Sequence, residues 1–102
     1  MDGILRELFN RVLADPRVGS LTKKLKDDIR LALVKSHPDD RPVIHFGDGR
    51  EIDFGEALLR MMMQKERKTD REAYMKELLD RFFKFSAGHT ETADFVFELF
   101  PP

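Results

Sequence analysis

Residues 43–54 read Val43-Ile44-His45-Phe46-Gly47-Asp48-Gly49-Arg50-Glu51-Ile52-Asp53-Phe54. Two short strand-like runs flank a glycine-rich, three-residue turn, and that arrangement predicts a β-hairpin at about 43–54. Asp53 stands three residues before Glu56, the spacing of a capping box, so the second strand is expected to run directly into a helix. On either side of this stretch the apolar residues recur at helical spacing. The expected fold is therefore mainly α, with four to five helices and a small hairpin inserted between the second and the third.

Upstream, Ile4, Leu5, Leu8, Phe9, Val12 and Leu13 fall on one stripe of a helix over about 3–14. Asp2 is a candidate N-cap, and Pro16 disfavours helical geometry at Asp15, so the helix should stop there. Gly19 and Ser20 mark a loop and a fresh start. Leu21, Leu25, Ile29, Ala32 and Leu33 then give a second stripe over about 20–36, with Lys23, Lys24, Lys26, Asp27, Asp28 and Arg30 mostly opposite. Pro38 stops that helix.

Downstream, Ala57, Leu58, Met61 and Met62 form the buried side of a helix over about 54–67. Thr69 and Glu72 repeat the capping-box spacing and open a helix over about 70–86, whose stripe is Met75, Leu78, Leu79, Phe82 and Phe83. Gly88 is placed to close it in left-handed geometry. The tail, 90–102, reads two ways. The pairs Phe95/Leu99 and Val96/Phe100 fit a helix, whereas Phe95, Phe97 and Leu99 fit the alternation of a strand. A third strand would support an otherwise marginal two-stranded hairpin and make the fold α+β. The core is expected to draw on Leu5, Leu8, Phe9, Val12, Leu25, Ile29, Leu33, Leu58, Met62, Leu78, Leu79 and Phe82.

At 102 residues the chain is read as one domain able to bury a single core. A hydrophobic content of 41% is too high for a disordered chain, and 36% charged residues imply long solvated helix faces. A formal net charge of −1 argues against nucleic-acid binding through bulk charge. The lack of cysteine removes disulfides, thiolate metal sites and cysteine nucleophiles together. With no membrane-length apolar run and no signal-like N-terminus, the expected location is cytoplasmic.

No motif carries a catalytic or cofactor chemistry. Ser20, Ser36, Ser86 and Thr69 sit where caps or helix ends are expected, and Gly47-Asp48-Gly49 lacks the further glycine and helix start of a phosphate loop. His37, His45 and His89 do not have the spacing of metal ligands. No enzyme activity, cofactor or metal is therefore expected. The stretch from Ile29 to His37-Pro38-Asp39 resembles the helix-loop signature of J-domain co-chaperones. In that family a basic second helix and the tripeptide engage a heat-shock chaperone. Glu72-Ala73-Tyr74 echoes the family's later helix at a longer distance. Ser36 stands where the family has an aromatic residue, and a hairpin replaces its short loop.

The functional expectation rests on surplus apolar surface. Three methionines in a row, Met61-Met62-Met63, cannot all face one way on a helix, and three phenylalanines among Phe82, Phe83 and Phe85 require a wide apolar face. After Lys84 there is no lysine or arginine, while Glu91, Asp94 and Glu98 alternate with aromatic residues. These features point to a non-catalytic protein–protein interaction module: an adaptor, regulator or assembly subunit that binds another protein or a second copy of itself. Its expected partner-binding residues are Met61, Met63, Phe85, Phe95, Phe97 and Phe100. The alternative is a nucleic-acid-associated regulator using Lys23, Lys24, Lys26, Arg67 and Lys68. A co-chaperone role through His37-Pro38-Asp39 stands third.

Overall fold

In a computed structural model of the chain, residues 2–35, 43–55 and 70–100 are described. They are mostly helical, with a small two-stranded antiparallel sheet. Helix α1 spans Asp2–Ala14, α2 spans Lys23–Lys35, and α3 spans Arg71–Ser86. Strands β1 (Val43–His45) and β2 (Glu51–Asp53) form the sheet between α2 and α3. Three α-helices thus stand among the described residues, against the four to five expected. The expected helix over 54–67, with Leu58 and Met62, lies outside the described residues beyond Gly55, as do Pro38 and Thr69.

Leu5, Leu8, Phe9 and Val12 are buried along α1, as the four-residue spacing requires. Pro16 ends that helix and opens a 3-10 turn over Pro16–Ser20, which Asp15 caps by accepting a hydrogen bond from the Arg17 amide at 2.8 Å. The α2 start differs from the expected position 20. Thr22 is the residue that opens the helix, its Oγ1 accepting from the Leu25 amide at 3.1 Å. Asp70 opens α3 in the same way, accepting from the amides of Glu72 and Ala73. The cap is thus the residue that follows Thr69.

The hairpin turn obeys the geometry its glycines ask for. Val43 pairs with Asp53, Ile44 with Ile52 and His45 with Glu51. The Phe46 amide donates to the Arg50 carbonyl at 3.0 Å, the Gly49 amide donates back to the Phe46 carbonyl at 3.1 Å, and Gly49 takes a φ of 90°. This is a three-residue loop closed by a left-handed glycine. At the end of α3, Ala87 is extended, Gly88 has a φ of 83°, and the His89 amide donates to the Ser86 carbonyl at 3.2 Å. Gly88 therefore serves a type II turn after the helix.

The tail forms neither the long helix nor the strand that its sequence allows. It makes two short 3-10 turns, Thr92–Asp94 and Val96–Leu99, and among the described residues the sheet stays two-stranded. Burial follows the helical pairs: Phe95, Val96, Leu99 and Phe100 are all inside, and Phe97 points out. One apolar cluster joins α1, α2, the hairpin, α3 and the tail, with Leu33 and Leu79 at its margin.

The element arrangement turns on Asp28. Its position in α2 was expected on the charged side, yet it is 1% exposed. Oδ1 accepts from the Gly47 amide of the hairpin at 3.2 Å and from Lys24 Nζ at 3.4 Å. Oδ2 accepts from the Thr92 amide of the tail at 3.1 Å. A single carboxylate therefore ties the hairpin and the tail to α2. Gly47 makes the approach sterically feasible, because a Cβ there would sit 2.9 Å from both Asp28 Oδ1 and Lys24 Nζ.

Replacing Asp28 by Ala leaves the buried Thr92 amide and the part-buried Gly47 amide without their acceptor, and leaves the Lys24 ammonium only Glu91. The expected loss in urea unfolding is about 3 kcal/mol. Gly47→Ala pushes a methyl group against the same oxygen and should cost about 1–2 kcal/mol. In the Asp28→Ala background the Gly47 substitution should cost much less, because the clashing oxygen is gone.

Candidate protein-interaction surface

The tail reverses direction after Gly88 and is fastened by charged side chains from three elements. Asp28 of α2 holds the Thr92 amide, and Lys24 reaches Glu91 at 3.4 Å. Arg50 of the hairpin turn pairs with Asp94 at 2.8 Å. Arg81 of α3 donates from Nε to the Leu99 carbonyl at 2.8 Å and from Nη2 to the Glu98 carbonyl at 2.6 Å. These last carbonyls end a 3-10 turn and lack in-turn donors, so a guanidinium fork suits them.

Aromatic packing sets which way each ring points. Phe95 packs edge-on to Phe82 at 5.3 Å, and Phe100 edge-on to Phe54 at 6.1 Å. Phe97 stacks on Phe54 at 5.1 Å, with 30° between the rings, and stays 39% exposed. Of the nine phenylalanines, six are buried, Phe83 and Phe85 are partly buried, and Phe97 alone is exposed. Phe83 lies under the Arg17 guanidinium at 4.6 Å, and Phe85 under that of Arg81 at 5.1 Å.

The expected partner-binding set therefore divides. Phe95 and Phe100 are core residues, which removes them from the surface to which the sequence pattern assigned them. Phe85 is partly buried beneath cations, and Phe97 is open to solvent on a rigid base. Met61 and Met63 lie outside the described residues. The other exposed large apolar side chain among the described residues is Val34, at 81%. Beside the tail, the outward face of α3 has a shallow depression of about 370 Å³ lined by Ala73, Lys76, Glu77, Asp80, Arg81 and Lys84.

The residues expected on a nucleic-acid surface are differently placed. Lys23 pairs with Asp27 at 3.0 Å, and Arg30 with the same carboxylate at 3.2 Å. These contacts, Lys23 first, hold the Asp27 carboxyl below its ordinary value. Lys24 is held between Asp28 and Glu91; although desolvation opposes it, the two carboxylates raise its ammonium above its usual value. Lys26 is half-buried, and Arg67 and Lys68 lie outside the described residues. Lys23 and Arg30 are thus matched by an acidic neighbour one turn away on an exposed face, while Lys24 is committed to the buried Asp28 and to the tail.

Other side chains with chemical potential are also accounted for. Ser20 and Ser86 donate their hydroxyls to the carbonyls of Arg17 and Phe83. His45 contacts Glu51 across the strands at 3.2 Å, and His89 packs on Phe95. Among the described residues no three metal-ligating side chains converge, and no helix is long and apolar enough to cross a membrane. His37, Pro38, Asp39 and Ser36 fall outside the described residues. No family model, curated protein or solved structure matches the chain.

Tyr74, the sole tyrosine, lies on the buried side of α3, where burial and then the Glu77 carboxylate push its phenol above the ordinary 10.0, with Arg81 partly opposing them. Its phenolate absorbance should therefore rise with a midpoint above 10.0 in the folded protein and near that value in denaturant. Because the folded pKa is the raised one, the associated stability is complete below the unfolded pKa and is lost as pH rises through the folded pKa. A native midpoint at or below the denatured one would contradict this placement of the ring.

Proposed function

We propose that the protein is a non-catalytic interaction module that docks on another protein through its C-terminal segment, with Phe97 as the anchor. The observation that carries this reading is the state of that one ring. An exposed aromatic residue is entropically cheap to bury when it is already fixed, and Phe97 is stacked on a fully buried Phe54. The tail that presents it is held at Thr92, Asp94, Glu98 and Leu99. Lys76, Glu77, Asp80 and Lys84 of α3 share a surface depression with Arg81, which holds the tail, and supply charges of the kind that select partners more than they add affinity. The pairing of Lys23, Lys24 and Arg30 with carboxylates lowers the standing of the nucleic-acid alternative.

Affinity capture from native lysate with the full chain tests the reading, using Phe97→Ala and Val34→Ala as paired variants. Phe97→Ala should weaken binding of the captured protein by at least about tenfold, as loss of an interface anchor does. Val34→Ala should leave binding unchanged, and circular dichroism should show both variants folded. Equal capture by wild type and Phe97→Ala would overturn the proposal. So would recovery of nucleic acid alone, released by salt and lost when Lys23 and Lys26 are neutralised.

A further inference from the structure

We infer that the hairpin and the C-terminal segment, 38 residues apart between Asp53 and Glu91, form one cooperative unit that opens and closes on the rest of the protein as a whole, with Asp28 as its latch. The two segments touch each other and share an attachment. Arg50 of the hairpin turn pairs with Asp94 of the tail at 2.8 Å. Phe54, just after β2, packs against both Phe97 and Phe100, with centroids 5.1 and 6.1 Å away. Both segments then reach the same side chain of α2: Asp28 Oδ1 takes the Gly47 amide and Oδ2 the Thr92 amide.

A buried carboxylate with two amide donors is satisfied only when both are present. If one segment left alone, it would take one of the two amide donors from Asp28 and expose part of the Phe54 ring. It would also break the Arg50–Asp94 pair, leaving Arg50 only Asp48 of its own turn. Each segment is therefore worth more to the other than to the solvent, which is the condition for joint opening. The tail has a further attachment that the hairpin lacks, the Arg81 fork on the Glu98 and Leu99 carbonyls. That asymmetry makes the coupling measurable, because loosening Arg81 acts on the tail directly and on the hairpin only through the shared unit. The inference does not rest on Phe97 binding a partner.

The test is native-state amide hydrogen exchange on the full chain with Arg81→Gln. The reporters are amides that do not themselves donate to Asp28 and whose acceptor carbonyls take no hydrogen bond from Arg81. In the hairpin these are Phe46, donating to Arg50, and Gly49, donating to Phe46; in the tail they are Phe95, donating to Thr92, and Glu98, donating to Phe95. In Arg81→Gln the tail amides should exchange on the order of tenfold faster, from the loss of two charge-assisted hydrogen bonds. The hairpin amides should accelerate by the same factor, while the central amides of α1 and α3 change less. Asp28→Asn should speed both sets together and more strongly. Arg50→Gln, at an exposed site, should do so by about two- to threefold, which keeps the test alive if the Asp28 variant does not fold. Faster exchange in the tail with an unchanged hairpin in Arg81→Gln would overturn the inference, as would separation of the two sets in Arg50→Gln.

Discussion

The Asp28 carboxylate is the constraint on which the arrangement of the smaller elements depends. A carboxylate that is 1% exposed is costly unless its oxygens are filled, and here they are filled by two backbone amides and one ammonium. The amides come from a hairpin turn and from the tail, neither of which has a large face of its own. A two-stranded hairpin is marginal alone, and a pair of 3-10 turns is weaker still. What gives them a fixed position is a charge that has nowhere else to go. Hydrophobic burial of Ile44, Phe46, Phe54, Phe95 and Phe100 supplies the bulk of the attraction. That attraction is non-directional, however, and the carboxylate with its short reach selects the register in which the burial occurs.

The same residue marks the limit of what the sequence discloses. Lys24 and Asp28 stand one helical turn apart among Lys23, Lys26, Asp27 and Arg30, so periodicity reads them as a solvated ion pair. They are a pair, at 3.4 Å, but the helix is rotated so that Asp28 turns inward and Lys24 lies across the boundary. The signal that separates this from an exposed pair sits in another segment, at Gly47, whose missing Cβ is needed for the approach. Read alone, Gly47 is explained by turn chemistry. Only their juxtaposition assigns it a second purpose, and juxtaposition is what one-dimensional spacing does not contain. By contrast, the stripes of α1 and α3 and the closure of the hairpin by Gly49 depend on local sequence and were legible throughout.

The tail shows a different kind of ambiguity. Phe95, Phe97 and Leu99 alternate as in a strand, whereas Phe95/Leu99 and Val96/Phe100 repeat as in a helix. The second pattern corresponds to the burial, but in 3-10 turns, whose three-residue period satisfies the same pairs approximately. The outward ring is the one that the alternation alone would have buried. For the candidate surface this matters, since a pattern that treats the aromatic residues as a group cannot say which will be spent on the core. Six of nine phenylalanines are.

A core that takes so many aromatic rings leaves little apolar surface for other uses, so the position of each remaining ring carries information. Phe83 and Phe85 sit beneath the guanidiniums of Arg17 and Arg81, where stacked cations shield the rings while keeping their own charge in water. Phe97 has no such cover among the cation–ring contacts of the described residues. Its inner face is already used on Phe54, so exposing the outer face is the residual cost of a ring that anchors the tail to the hairpin. A partner that covered this outer face would meet a surface whose conformational entropy had been lost during folding. The fastening of the tail and the exposure of its outward ring are therefore two consequences of the same packing, and the docking proposed there would require no further ordering of the tail.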